Sequence, residues 1–176
     1  MKLLKVLLYL VLALVLVFVI GGYLLPRTSH VERSITIDRP AAQVYTMLNS
    51  FKRFNEWSPW YEMEPEAMYS YSGPETGVGA AMAWEGKKVG SGSQRIVESV
   101  AATRVVNALD FGGSQATATY ALSPDGNGTR ITWSLDSEHG NNLVSRWFGP
   151  LMERMVGPDF EHGLAKLKTV LERDPR

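Results

Sequence analysis

Cysteine is absent from this 176-residue chain. Disulfides, iron–sulfur clusters and thiol nucleophiles are therefore excluded, and redox usage says nothing about the compartment. Histidine is scarce, and His30, His139 and His162 stand too far apart in sequence to form H-E-x-x-H or another metal spacing. Gly77-x-Gly79 and Gly90-x-Gly92 lack the third glycine of a dinucleotide loop. There is no G-x-x-x-x-G-K-[ST] and no G-x-S-x-G elbow, so neither a cofactor nor a metal is expected. Net charge is missing as well, with 18 basic against 18 acidic residues, and no basic stripe marks a nucleic-acid partner.

Charge is missing altogether from Val6 to Pro26, where Leu, Val, Ile and Phe dominate. Some twenty apolar residues at 1.5 Å rise span roughly 30 Å, the thickness of the hydrocarbon layer. Residues 1–27 therefore read as a transmembrane anchor, inserted through residues 6–26. A cleaved signal peptide is the competing reading, but its apolar stretch runs only about 7–15 residues and ends in an A-x-A-like site. Ile20-Gly21-Gly22 is a poor match to one. Lys2 and Lys5 precede the span, while Arg27 and Arg33 after it are partly offset by Glu32, which favours an inside N-terminus and an extracytoplasmic domain.

Residues 28–30 read as a linker and 31–176 as one domain, long enough to bury about two-thirds of its unfolded surface. All 18 acidic residues fall in that domain. Val31 to Asp38 alternates as a strand, with Val31, Arg33, Ile35 and Ile37 on one face. Asp38 is a candidate N-cap for a short helix carrying Ala41, Val44, Tyr45 and Leu48. Six further strands are predicted over 66–71, 79–85, 89–100, 104–111, 115–123 and 129–137, separated by Gly-rich turns. Sequential hairpins of this kind make an antiparallel meander. Leu143, Trp147, Leu151 and Met155 then recur every four residues, and Phe160, Leu164, Leu167 and Leu171 continue a helical stripe that Pro158 should kink or start afresh. The fold class is α+β, a curved antiparallel sheet of about seven strands around a long C-terminal helix.

Ile35-Thr-Ile-Asp-Arg-Pro40, Glu56-Trp-Ser-Pro-Trp60, Gly90-Ser-Gly-Ser-Gln-Arg-Ile-Val-Glu98, Gly128-Thr-Arg-Ile-Thr-Trp133 and Asp159-Phe-Glu-His-Gly-Leu-Ala-Lys-Leu-Lys168 follow one another in that order. Together they resemble the polyketide cyclase/dehydrase branch of the START-like (SRPBCC) helix-grip superfamily, over nearly all of residues 31–173. The resemblance implies a helix-grip fold with a deep apolar pocket between sheet and C-terminal helix, used for lipids, sterols, polyketides or other hydrophobic small molecules. It implies no single chemistry, because the superfamily contains both carriers and enzymes.

Trp57 and Trp60 flank Pro59, which removes a backbone donor and biases Ser58 away from helix, so both rings are expected on a turn. They either gate a pocket mouth or close the end of the core beside Phe51 and Phe54. Trp84 and Trp133 alternate with polar neighbours on strands and either line a cavity or fill it, facing Met152 and Met155 on the final helix. These six residues are the candidate ligand-binding set. His139, Glu98 and Asp110 are expected outside the cavity, which leaves no catalytic residue to name. The residues favour a membrane-anchored binder of a hydrophobic small molecule or lipid over a cyclase- or dehydrase-like enzyme, with a ligand-free interaction module as the third reading. The sequence is silent on oligomeric state. The anchor reading predicts that the full chain stays in the membrane fraction through alkaline carbonate extraction; recovery in the soluble fraction would instead indicate a removed signal.

Overall fold

A computed structural model describes residues 2–173. Helix α1 (Lys2–Leu24) is exposed along almost its whole length and is long and apolar enough to cross a membrane. It leads directly into strand β1 (Thr28–Ile37). The strand thus begins three residues earlier than the alternation predicts, because Thr28, Ser29 and His30 pair with Glu138, Ser137 and Asp136 of the last strand. Three short helices follow, α2 (Ala41–Leu48), α3 (Phe51–Phe54) and α4 (Pro59–Met63). Pro40 rather than Asp38 occupies the N-cap of α2.

The Trp-Ser-Pro-Trp stretch starts a helix after all. The Ser58 hydroxyl accepts from the Tyr61 backbone N–H, and Pro59 takes the first helical position, where its missing donor costs nothing. Trp57 lies just before that turn and Trp60 within it.

The remaining strands are β2 (Met68–Ser72), β3 (Ala81–Glu85), β4 (Ser91–Val100), β5 (Arg104–Asp110), β6 (Gln115–Asp125) and β7 (Gly128–Glu138). All neighbouring pairs are antiparallel, and the sheet order is β1-β7-β6-β5-β4-β3-β2. Helices α2 to α4 carry the chain from one edge of this seven-stranded sheet to the other. A bulge at Ile96/Glu98 breaks the β4–β5 register and bends the sheet, as an extra residue in one strand does. The Glu64 carboxylate accepts backbone N–H bonds from Lys87, Lys88 and Val89 at 3.0, 2.8 and 3.1 Å, closing the β3–β4 turn onto α4. Those three donors hold its pKa below the ordinary glutamate value.

The C-terminal segment consists of α5 (Leu143–Phe148), one 3₁₀ turn (Gly149–Leu151) and α6 (Met152–Glu172). Pro158 neither ends nor begins a helix; it sits inside α6, and the break falls at Gly149-Pro150. The face of α6 that meets the sheet carries Met152, Val156, Phe160, Gly163, Leu164 and Leu167. The Trp147/Leu151/Met155 row predicted to join the core stripe instead points outward, with exposures of 38%, 45% and 58%. Two apolar stripes run side by side here, and periodicity alone does not say which one meets the sheet.

Helix α6 is tied to β1 at both ends. Arg33 reaches Glu153 and Glu161 at 2.7 and 2.6 Å, with its guanidinium lying where a side chain at Gly157 would stand. Lys168 donates to Thr36 O at 2.7 Å, and the Asp38 N–H donates to Glu172 at 2.8 Å. In the middle, a Cβ on Gly163 would stand 3.1 Å from the Pro59 ring and 3.2 Å from the Trp133 ring. The missing side chain is what lets helix and sheet approach, at a cost of about 1 kcal/mol in helix propensity relative to alanine. Gly163→Leu is expected to destabilise the protein by roughly 1–3 kcal/mol through overpacking. Denaturant unfolding of the full chain in micelles, followed by tryptophan fluorescence, measures this; unchanged or raised stability would contradict the close approach.

Candidate functional site

The inner face of the sheet tapers from filled to open. Between β6 and β7 the inward cross-strand pairs run Leu122/Ile131, Tyr120/Trp133, Ala118/Leu135 and Ala116/Ser137. The first two pairs are bulky and the last two are small on at least one side. Trp133 is 2% exposed and forms the centre of the solid half. Its ring stacks on Phe160 of α6 with centroids 3.8 Å apart and planes 9° from parallel. Trp57, Trp60 and Phe54 meet its edges and face at 5.4, 5.7 and 6.5 Å, all near perpendicular, and Tyr120 lies at 5.3 Å. Such perpendicular ring pairs contribute about 0.5–1.5 kcal/mol each beyond their buried area.

Beyond that cluster the sheet and α6 do not close, leaving a cavity of about 430 Å³. Alanines 116 and 118 leave the space, and Met82, Trp84 and Leu109 form the wall on the β3–β5 side. The opposite wall is Phe148, Met152, Val156 and Phe160, while Phe54 and Trp60 close the inner end. Trp84 packs across Gly92, its partner on β4, where any Cβ would overlap the indole, and meets Phe111 at 5.9 Å. The wall is therefore mainly hydrocarbon and aromatic, with a few polar groups, as small-molecule pockets are.

Three polar groups within this region matter. Gln94 lines the cavity at 6% exposure and accepts from the Asn107 amide at 3.3 Å. Trp133 Nε1 is buried and has no acceptor among the described residues. An N–H left in that state costs about 1–3 kcal/mol. Burial drives the Tyr120 phenol far above its ordinary pKa, so it remains a neutral hydroxyl.

The open end is bordered by Ser137 and Glu138 at the end of β7 and His139 just after it, by Ser114 just before β6 and Gln115 at its start, and by Ser145 of α5. His139 therefore belongs to the rim, contrary to the expectation that placed it outside. Its ring Nε2 lies 3.1 Å from Ser29 Oγ, and its backbone N–H donates to Arg27 O at 2.7 Å. Burial, then the nearby Arg146 charge, holds the imidazole below its ordinary pKa and neutral at pH 7. Glu98 and Asp110 are elsewhere: Glu98 pairs with Arg104 at the outer face, and Asp110 is exposed and accepts from the Gly113 N–H. No cluster of three His, Cys, Asp or Glu residues suited to a metal ion occurs among the described residues.

Of the six candidate ligand contacts, Trp60, Trp84, Trp133 and Met152 border the cavity. Trp57 does not: it is fully buried behind the cluster, with its indole N–H 3.5 Å from Met47 O. Met155 also does not, because it lies on the outward row of α6. Sequence reasoning missed Gln94, Leu109, Ala116, Ala118, Phe148 and Phe160. The one usable signal was the inward row of β6, Ala-x-Ala-x-Tyr-x-Leu, whose side chains shrink toward one end of the strand.

Solved structures share this architecture at low sequence identity. Truncated norcoclaurine synthase from Thalictrum flavum is 14% identical, with a TM-score of 0.63 covering 84% of this chain and 96% of that one. A protein of Chromobacterium violaceum is 17% identical with a TM-score of 0.59, covering 85% of this chain and 99% of that one. A protein of Nitrosospira multiformis, also 17% identical, gives 0.60 over 82% of this chain and 97% of that one. These likenesses carry the fold. No curated protein matches the sequence. The family model described as polyketide cyclase / dehydrase and lipid transport matches residues 28–172, from the first strand to the end of α6, and the chain belongs to that family.

Proposed function

We propose that this protein is a membrane-anchored binding domain that holds one hydrophobic, lipid-like molecule between its sheet and α6. The observation that carries this reading is the apolar cavity of about 430 Å³, within the range of pockets that enclose a small ligand. The family's description names lipid transport alongside cyclase and dehydrase activity, which agrees with such a ligand. Helix α1 supplies the anchor, with the N-terminus inside and the domain outside, as the lysines before the span favour. A ligand bearing one hydrogen-bond acceptor would satisfy the buried Trp133 N–H, while the rest of its surface meets hydrocarbon and aromatic walls.

An enzyme reading has one observation in its favour, the adjacent Glu138 and neutral His139 on the rim. A base must reach the proton it removes, and the imidazole Nε2 is already engaged with Ser29. Binding is the better-supported reading. The interaction-module reading needs a filled grip, which the open half of this one does not provide.

Filling the cavity separates binding from folding. Ala116→Phe places a ring in the space, at a lining position now held by a methyl group, and is expected to reduce affinity for a long-chain fluorescent fatty acid about tenfold or more while leaving thermal stability unchanged or raised. The titration uses a chain starting at Pro26, after near-UV circular dichroism has shown native packing. Glu138→Gln should bind like the wild type. Undiminished binding by Ala116→Phe would place the probe elsewhere and contradict the cavity as the site.

A further inference from the structure

The outward row of the C-terminal segment is unexplained by the grip. Val144, Phe148, Leu151 and Met155 are 55%, 52%, 45% and 58% exposed, and they recur at i, i+4, i+7 and i+11. Other exposed large apolar residues of the domain, such as Val78, Val97 and Val100, lie on strands and loops and form no helical row of this kind. From Gly140 to Met152 the only charged residue is Arg146. Arg146 is 1% exposed and turned inward, with its guanidinium donating to Gly140 O and Gly22 O. The outer surface of α5 and the following turn is thus uncharged and apolar.

Helix α1 shows what this surface faces. Gly21 and Gly22 present bare backbone to α5: a Cβ at Gly21 would overlap the Trp147 ring, and one at Gly22 would stand 3.1 Å from Leu143. Trp147 Nε1 donates to Phe18 O at 3.0 Å, and the Phe18 and Trp147 rings stack at 6.0 Å. Phe18 lies six residues before the helix end at Leu24, so at 1.5 Å per residue Trp147 sits about 9 Å inside the span measured along the helix. Amphipathic helices at membrane surfaces bury their apolar faces to about 5–10 Å. Tyr23, one residue before the helix end, lies under the Arg146 guanidinium at 5.8 Å, and tyrosine and tryptophan are the two residue types enriched at membrane interfaces.

We propose that α5 and the 3₁₀ turn form a second membrane contact, lying in the lipid interface of the bilayer that α1 spans, with the exposed Glu153 and Arg154 marking its polar edge at the start of α6, and that the cavity opens onto that contact. The inference rests on reading α1 as a retained anchor. Phe148 is central to it, being half exposed on the outer row and at the same time part of the cavity wall, with Ser145 and Met152 beside it. A lipid leaving the bilayer along α5 would enter the grip without crossing water. This deepens the binding reading by naming the source of the ligand: the hydrocarbon phase of the host membrane.

The absence of cysteine makes the test direct. Single variants Leu151→Cys and Val144→Cys, with Leu12→Cys in α1 and Val100→Cys at the far end of β4, are labelled with nitrobenzoxadiazole on the full chain in phosphatidylcholine vesicles. The proposal expects labels at 12, 144 and 151 to be blue-shifted and quenched several-fold more by doxyl lipids than by aqueous iodide, with the reverse at 100. Lipid quenching at 12 but iodide quenching at 144 and 151 overturns the docking surface while the anchor stands. Iodide quenching at 12 overturns the anchor and the proposal together. Labels at 144 and 151 shielded from both quenchers assign the surface to a second copy or another protein, and also overturn it. Cavity binding by Ala116→Phe and wild type remains a separate readout, so failure here does not count against the binding site.

Discussion

The face-to-face stack of Trp133 on Phe160 fixes the distance between sheet and helix, and the rest of the grip follows from it. Gly163 helps set that distance, since a Cβ there would crowd the Trp133 ring at 3.2 Å. With the helix set at that separation, bulky residues on β6 and β7 fill the space near the stack and alanines further along cannot. The cavity is the geometric remainder of a single contact. Its walls keep their shape because Trp57, Trp60 and Phe54 brace the stack from the crossover side.

The same separation is enforced along β1. Arg33 spans two turns of α6 through Glu153 and Glu161, and Lys168 and Glu172 repeat the attachment near the helix end. Exposed ion pairs contribute little individually, but here they flank a packed interface and set its register. The open end lacks equivalent bracing. There the wall is α5 and a 3₁₀ turn, joined to the body through His139, Arg146 and the end of α1. On the proposed binding reading, the braced half of the fold holds the ligand's inner end, and the half next to α1 is where a ligand passes.

The fold was legible because its period changes are strong: a continuous apolar run, then alternation, then a helical stripe. Strand boundaries moved by one to three residues where turns decided them. Of the two readings for Pro158, a helix running through it holds and a new helix starting at it does not, and Gly157 beside it makes room for Arg33. The site was half legible. Trp60, Trp84, Trp133 and Met152 could be named because large side chains on the inward phase must meet the helix. Trp57 could not be separated from Trp60 without knowing that Ser58 and Pro59 start a helix between them. Met155 was assigned to the wrong stripe of a helix that has two. Cavities are made by small residues, and Ala116 and Ala118 carry no signal beyond their size relative to Tyr120 and Leu122.

On the proposed reading, the open half of the grip is an apolar container and not a packing fault. The most direct measurement is mass spectrometry of the organic extract from residues 26–176, produced in cells, purified without detergent, and compared with the Ala116→Phe variant. The account predicts a hydrophobic molecule recovered near one per chain from the wild type and strongly depleted from the variant. Equal recovery from both, or none from a folded wild-type chain, would contradict it.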